Sequence, residues 1–162
     1  MRGMAGIIDQ LHRSVEGDSW QGASMREILE GVNAVEAAAH PVPGGHSIWE
    51  IVYHVTAWVR AVHSRVLGKV MELGGEADWP PVRDTSEKAW TEAFKDLRLA
   101  QSELIATLKT LSDGDLNAPV PNRDYDRAHL LHGLAQHHAY HAGQMSLLKR
   151  ALQHQAKEAT SL

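Results

Sequence analysis

The sequence predicts an all-α protein: a four-helix bundle with a short extra helix and long loops. Four segments carry apolar residues at three- and four-residue steps, which is typical of amphipathic helices, and no segment shows the alternation of a half-buried strand. Loops rich in glycine and proline separate these segments. With 162 residues and a 43% hydrophobic composition, the chain is expected to form one domain, residues 1–162, around one core.

The first segment forms an amphipathic helix that Gly17 is expected to end. Its apolar face consists of Met4, Ile7, Ile8, Leu11 and Val15. The short extra helix is predicted from Ser24-x-x-Glu27, a capping-box pattern in which each side chain accepts a hydrogen bond from the other residue's backbone.

The second and third bundle helices are also predicted from their first turns. Ser47-x-x-Glu50 is a capping box, and the buried stripe behind it is Ile48, Ile51, Val52, Val55, Trp58, Val59 and Val62. Asp84-x-x-Glu87 can cap the third helix. The core positions of that helix are Trp90, Phe94, Leu97, Leu104, Leu108 and Leu111, with Gln101 filling one of them.

The fourth helix is predicted from about Arg127 to Leu152, and its core positions include two histidines. The seam follows 4-3-4-3-4 steps through Leu130, Leu134, His137, His141, Gln144 and Leu148. His138 lies off this seam and is interpreted as a surface residue, with an alternative role as a ligand. Two imidazoles four residues apart lie about 6 Å apart at Cβ and can share one metal ion.

A third interior histidine lies on the second helix. His54 lies among Ile51, Val55 and Trp58 and should face His137 and His141. Together they would form a three-histidine site with open positions for water or substrate. The alternative is a core histidine satisfied by other protein groups, but buried imidazoles without any partner would each cost about 1–3 kcal/mol.

Composition and missing motifs exclude several classes of function. The net charge is −4, and no basic run marks a nucleic-acid or membrane surface. The absence of cysteine removes disulfides, thiolate catalysis and cysteine-based zinc sites, and a cytoplasmic location is expected. Neither His-Glu-x-x-His nor Glu-x-x-His occurs, so the patterns of zincins and di-iron bundles do not fit.

Three stretches of the chain resemble the DinB-like superfamily, including its YfiT-like members. They are "DSWQGAS" (18–24) leading into "MREILEGV", "SIWEIVYHV" (47–55) and "HHAYHAGQM" (137–145). The resemblance spans nearly the whole chain. It implies a four-helix bundle that holds a divalent metal through His54, His137 and His141. One departure is His138, where relatives often carry Asp or another polar residue.

The resemblance also implies a class of chemistry. Characterised relatives include metal-dependent transferases and isomerases that use low-molecular-weight thiols, and relatives are often dimers. Zn²⁺ and Ni²⁺ are the expected ions, with Fe and Mn as alternatives. The expected partners are a small-molecule substrate and a second copy of the chain, the latter through residues 63–70. No nucleic acid or membrane is expected.

Several residues near the histidines are candidates for supporting roles. Glu50 is either a general base or simply the capping-box carboxylate. Trp20, Tyr140 and Gln144 are candidates for cofactor binding, with Gln144 and Tyr140 beside the metal ligands and Trp20 as a pocket wall. Two other functions stay open: a non-catalytic metal-binding or stress-response bundle, and a structural dimer whose histidines satisfy one another.

Overall fold

All the α-helices except the first, which begins at Gly3, start at a polar N-cap side chain. The computed structural model describes residues 3–161, which contain no strand beyond an isolated bridge between Pro119 and Asp126. The predicted all-α class is therefore confirmed. The helices are α1 (Met4–Glu16), α2 (Met25–Leu29), α3 (Ala34–Ala38), α4 (Ile48–Val66), α5 (Glu87–Leu108) and α6 (Arg127–Thr160).

Capping boxes start α2, α3 and α4. The boxes predicted at Ser24 and Ser47 are both formed, each with its serine hydroxyl accepting from the third helical backbone N–H. A further box joins Asn33 to Glu36 and starts α3. The single short helix predicted here is therefore two short helices, because Asn33 offers a second N-cap within the segment.

The ends of α5 and α6 differ from the prediction. Ser86, and not Asp84, caps α5: its hydroxyl accepts from the Ala89 N–H, while Asp84 accepts from the Ser86 N–H. Leu111 lies beyond the end of α5. α6 continues to Thr160 because no glycine or proline follows Leu152 and the residues present sustain a helix.

The long helices pack as a bundle around one apolar core. α1 and α4 each contact both α5 and α6, while α2 packs on α1 and α6, and α3 packs on α4 and α5. The largest fully buried apolar side chains come from every long helix and from α2: Leu11, Val15, Met25, Ile48, Trp49, Ile51, Leu97, Leu104, Leu108, Leu131 and Met145. None of the helices among residues 3–161 is both long enough and apolar enough to cross a membrane.

The packing of α4 against α6 positions the candidate site. His54 lies on α4 and faces the α6 turns that carry His137 and His141. The α4–α5 loop (residues 67–86) folds back beside α4. A 3-10 turn at Gly75–Ala77 places Asp78 and Trp79 against His54.

Candidate metal centre

Three imidazoles meet between α4 and α6. The Nε2 atom of His137 lies 3.1 Å from Nε2 of His54 and 3.1 Å from Nε2 of His141. The three potential ligand atoms all lie within 4.8 Å of one another. His54 and His141 are buried, whereas His137 is half-buried. The structure thus brings together the three histidines predicted from helix phase and from the family resemblance.

Acceptor groups fix the orientation of two of these rings. The Nδ1 atom of His54 lies 2.9 Å from the backbone oxygen of Asp78. The Nδ1 atom of His141 lies 2.7 Å from Oε1 of Gln144. Because a carbonyl oxygen can only accept, each Nδ1 must carry the proton. Both rings therefore direct an unprotonated Nε2 toward the centre, as histidine ligands of metals do.

A cation would stabilise the convergence of the three Nε2 atoms. A neutral His137 carries one ring proton and can donate from Nε2 to only one of its two neighbours. At least one close pair would therefore oppose two lone pairs. Zn–N bonds of 2.0–2.1 Å in tetrahedral geometry place ligand nitrogens roughly 3.3 Å apart, close to the separations seen here. The residues present fit a divalent metal.

Burial keeps these imidazoles neutral. Desolvation, followed by the charges of His141, His138 and His54, lowers the pKa of His137 to about 3. Desolvation and the neighbouring His54 lower the pKa of His141 to about 4, against the hydrogen bond to Gln144. Burial also lowers the pKa of His54, although Asp78 opposes it. Since only neutral imidazole binds a metal, the ligands are ready to bind at neutral pH.

An aromatic stack covers one side of the site. The Trp79 ring lies parallel to His54 at a centroid distance of 3.9 Å and parallel to His46 at 3.6 Å. The Asp78 carboxylate accepts from the Trp58 indole N–H at 2.8 Å and lies 3.0 Å from Nδ1 of His54. Sequence analysis did not identify Asp78 or Trp79. Their only signal was the length of the loop that carries them.

Glu50 is the carboxylate of the capping box that Ser47 begins, and it contacts histidines outside the triad. Its carboxylate accepts from the Ser47 backbone N–H at 2.8 Å and lies 3.1 Å from Nε2 of His40. Burial raises the pKa of this carboxyl, but the Ser47 and His40 hydrogen bonds outweigh it and hold the pKa below its ordinary value. Nδ1 of His46 lies 3.5 Å from Oε2 of Glu50, and the His46 ring also stacks on Trp79. Glu50 is not one of the converging groups.

The three candidate cofactor-binding residues lie in different surroundings. Gln144 touches the site directly, and its amide donates to the Tyr140 hydroxyl at 3.2 Å. Tyr140 is exposed, and its ring forms a T-shaped contact with the His141 ring at a centroid distance of 5.0 Å. Trp20 is fully exposed and, together with Arg13, lines a separate cleft of about 720 Å³. None of the three histidines lines this cleft.

His138 is a core residue, so its interpretation as a surface residue is wrong. Its side chain is 0% exposed, and Nδ1 lies 2.9 Å from Oγ of Ser14. The deepest positions of α6 are Leu131, His138 and Met145, one residue further along than the predicted seam. The stripe of His137, His141 and Gln144 flanks this core. His138 does not join the converging group, so its alternative role as a ligand is not seen either.

Comparison with known proteins agrees with the site and the fold. The family model of the DinB superfamily matches residues 19–145, a range that contains α2 to α5 and the three histidines. No curated protein and no solved structure gives a significant match. The family match covers most of the chain and agrees with the helical bundle and the buried three-histidine group. The chain belongs to the DinB superfamily.

Proposed function

We propose that this protein is a divalent-metal-dependent enzyme that acts on a small molecule, as a transferase using a low-molecular-weight thiol. The observation that carries the proposal is a cavity of about 220 Å³ that adjoins His137 and is lined by Trp58, Val62 and Leu134, among others. A catalytic metal site differs from a closed structural one in keeping a coordination position open for a substrate. An adjoining cavity would admit a substrate.

The residues around the site would divide the work. His54, His137 and His141 would hold the ion, which lowers the pKa of a bound thiol or water and so supplies a nucleophile near neutral pH. Asp78 and Gln144 keep two of the rings in the tautomer that leaves Nε2 free. Because the chain contains no cysteine, the attacking thiolate must come from a co-substrate.

The second candidate is a non-catalytic metal-binding or stress-response protein. One observation favours it: Trp79 lies flat on His54, so that side of the site is covered. A structural centre would lose stability without its ion, and it would not exchange small ligands.

Metal analysis tests the site itself. Purified protein should contain about one ion per chain, of Zn²⁺, Ni²⁺, Fe or Mn, and the variants His54→Ala and His141→Ala should lose it. His132→Ala is a matched control because His132 lies on α6 but is exposed. Equal metal content in all four proteins would remove the proposed site. Protein that takes up no Zn²⁺ or Ni²⁺ would support the purely structural bundle.

Activity separates the two metal-binding candidates. The metal-loaded protein should conjugate a small thiol to an electrophile, and His54→Ala should not. A metal-loaded protein that neither conjugates thiols nor binds them would favour the non-catalytic candidate.

A homodimer in the cytoplasm is part of the same proposal. Leu67, Val70 and Met71 are exposed apolar residues at the end of α4 and the start of the following loop. Leu67 and Val70 lie within the predicted dimer contact at residues 63–70 and support it, and Met71 follows directly after it. Sedimentation of the wild type beside Val70→Glu tests this contact, since a dimer formed there should dissociate in the variant.

A further inference from the structure

The cavity beside His137 is lined by an arginine that pairs with no acidic side chain among residues 3–161. This residue is Arg65, which is 4% exposed. It is the only buried arginine among residues 3–161. Its Nε and Nη2 atoms donate to one acceptor, the backbone oxygen of Met71, at 3.0 and 2.8 Å. Exposed arginines such as Arg60 and Arg98 pair with carboxylates, at Asp96 and Glu16.

A buried guanidinium in this state is poised to bind an anion. Burying a charge is unfavourable unless an opposite charge or hydrogen bonds compensate it, and a guanidinium carries five N–H donors. A carbonyl and the face of Trp58, 5.5 Å from the guanidinium carbon, compensate Arg65 only in part. No acidic side chain lines the cavity that Arg65 shares with His137.

The size and the lining of the cavity suit a small carboxylate. The planar guanidinium matches a carboxylate or a phosphate in a two-bond geometry, and the apolar walls favour the carboxylate because it can carry a hydrocarbon chain. Val62, Leu130 and Leu134 form apolar walls that suit a short hydrocarbon chain. The volume of about 220 Å³ is below the 300–1,000 Å³ typical of sites for drug-sized ligands.

Trp58 sets the distance between the two ends of the cavity. Its ring centre lies 5.5 Å from the Arg65 guanidinium carbon and 5.5 Å from the His137 ring centre. The Arg65 guanidinium carbon therefore lies no further than twice 5.5 Å from the centre of the His137 ring. A short molecule can reach from one end to the other.

We propose that Arg65 binds the carboxylate of a small substrate, whose reactive end then lies at His137. The identity of the group at the His137 end rests on the proposed function, whereas the Arg65 contact does not. Two sources share this chemistry: a carboxylate-bearing electrophile and a carboxylate-bearing thiol.

Titration of the full chain by ¹H–¹⁵N NMR tests the proposal, with the Trp58 indole N–H and the Arg65 Nε–H as reporters. The probes are propionate and its neutral analogue propionamide, added to metal-free and Zn²⁺-loaded protein. Propionate should give saturable shifts in both forms. Propionamide should bind at least about tenfold more weakly, because it lacks the charge-assisted hydrogen bonds.

Two variants and one control assign the binding to this cavity. Arg65→Met should weaken propionate binding at least about tenfold, while Arg60→Gln on the same helix should not change it. If Arg65→Met does not fold, Gly133→Leu decides. Gly133 lines the cavity, and a Cβ added there meets no atom within 4 Å, so the leucine would fill the cavity without disturbing α6.

The outcomes separate this proposal from the proposed function. Equal affinities for propionate and propionamide, unchanged binding in Arg65→Met or Gly133→Leu, or no saturable shift in the wild type would overturn the Arg65 site. Arg65-dependent binding to a protein that takes up no metal would support the Arg65 site and refute the metal enzyme. 3-Mercaptopropionate binding more tightly than propionate only with Zn²⁺ would support the site and assign its carboxylate to the thiol. Equal affinities of 3-mercaptopropionate and propionate for the Zn²⁺-loaded protein would support the site and assign its carboxylate to the electrophile.

Discussion

Gln144→Leu should weaken metal binding without unfolding the protein. In the wild type, Oε1 of Gln144 accepts from Nδ1 of His141 at 2.7 Å. The variant removes this acceptor, and His141 is too buried for water to replace it freely. Without metal, the ring can move its proton to Nε2 and donate to His137 at 3.1 Å. With metal, Nε2 must stay free, so the Nδ1–H has no acceptor.

The size of the effect follows from that orphaned donor. A buried donor without a partner costs about 1–3 kcal/mol, which corresponds to a loss of roughly fivefold to 150-fold in affinity. The partners of metal-bound histidines contribute about 10- to 100-fold in comparable sites. We therefore expect Gln144→Leu to raise the Zn²⁺ dissociation constant about 10- to 100-fold. The free energy of unfolding of the metal-free protein should change little.

Competition against a chromophoric chelator at pH 7.5 measures this dissociation constant. Gln144→Glu should tighten binding, because a carboxylate is a stronger acceptor for the same N–H. Tyr140→Phe is the matched control: it removes only the hydroxyl that accepts from the Gln144 amide, and it should change affinity less than about threefold. A Gln144→Leu affinity within about twofold of wild type would refute the tautomer argument.

The remaining predictions concern stability. His138→Leu should raise the free energy of unfolding by about 1 kcal/mol. The variant removes the buried Nε2 of His138, which has no partner among residues 3–161, and Ser14 keeps its hydrogen bond to the Leu11 carbonyl. Metal-free protein should lose stability as pH falls below about 6.5. Burial holds the pKa of His137 and of His138 at about 3 in the folded state. Below about pH 6.5 the unfolded chain therefore binds more protons than the folded chain. The loss should be about 1.4 kcal/mol per pH unit for each such histidine. Ser47→Ala should cost about 1 kcal/mol through the lost N-cap of α4.

Urea unfolding of the metal-free protein measures all three effects. His138→Ala is the control for His138→Leu, because it leaves a cavity and should destabilise the fold. A stability that stays constant from pH 7.5 to 5 would contradict the neutral histidines, and His138→Leu should reduce the pH slope. A Ser47→Ala variant as stable as the wild type would show that the cap contributes nothing.

Helix periodicity predicted the bundle and placed His54, His137 and His141 in its interior, where the structure brings them together, but it left the alternative of core histidines open. Apolar steps of three and four residues are set locally, so they identify which face of α4 and α6 turns inward. The same reasoning placed His138 wrongly. On a helix packed on several sides, residues either side of the predicted seam are buried too, and burial of His138 depends on α1 supplying Ser14.

The loop contributions could not be predicted from periodicity. Asp78 and Trp79 reach His54 only because the α4–α5 loop folds back onto α4. No periodic pattern of apolar residues indicates where a loop packs against a bundle. Similarly, the cap of α5 depends on whether Asp84 or Ser86 adopts the extended backbone of an N-cap, and both residue types are good caps.

The stack of Trp79 on His54 ties the metal centre to a segment outside the bundle. The same loop supplies the oxygen that fixes the His54 ring. A conformational change that displaced the loop would remove both the covering indole and that acceptor, and by reciprocity an ion bound at the three histidines would stabilise the loop in its present position. The residence time of an ion bound there would therefore depend on the α4–α5 loop as well as on the three ligands, and substitutions in residues 67–86 would change it without any change in the helices.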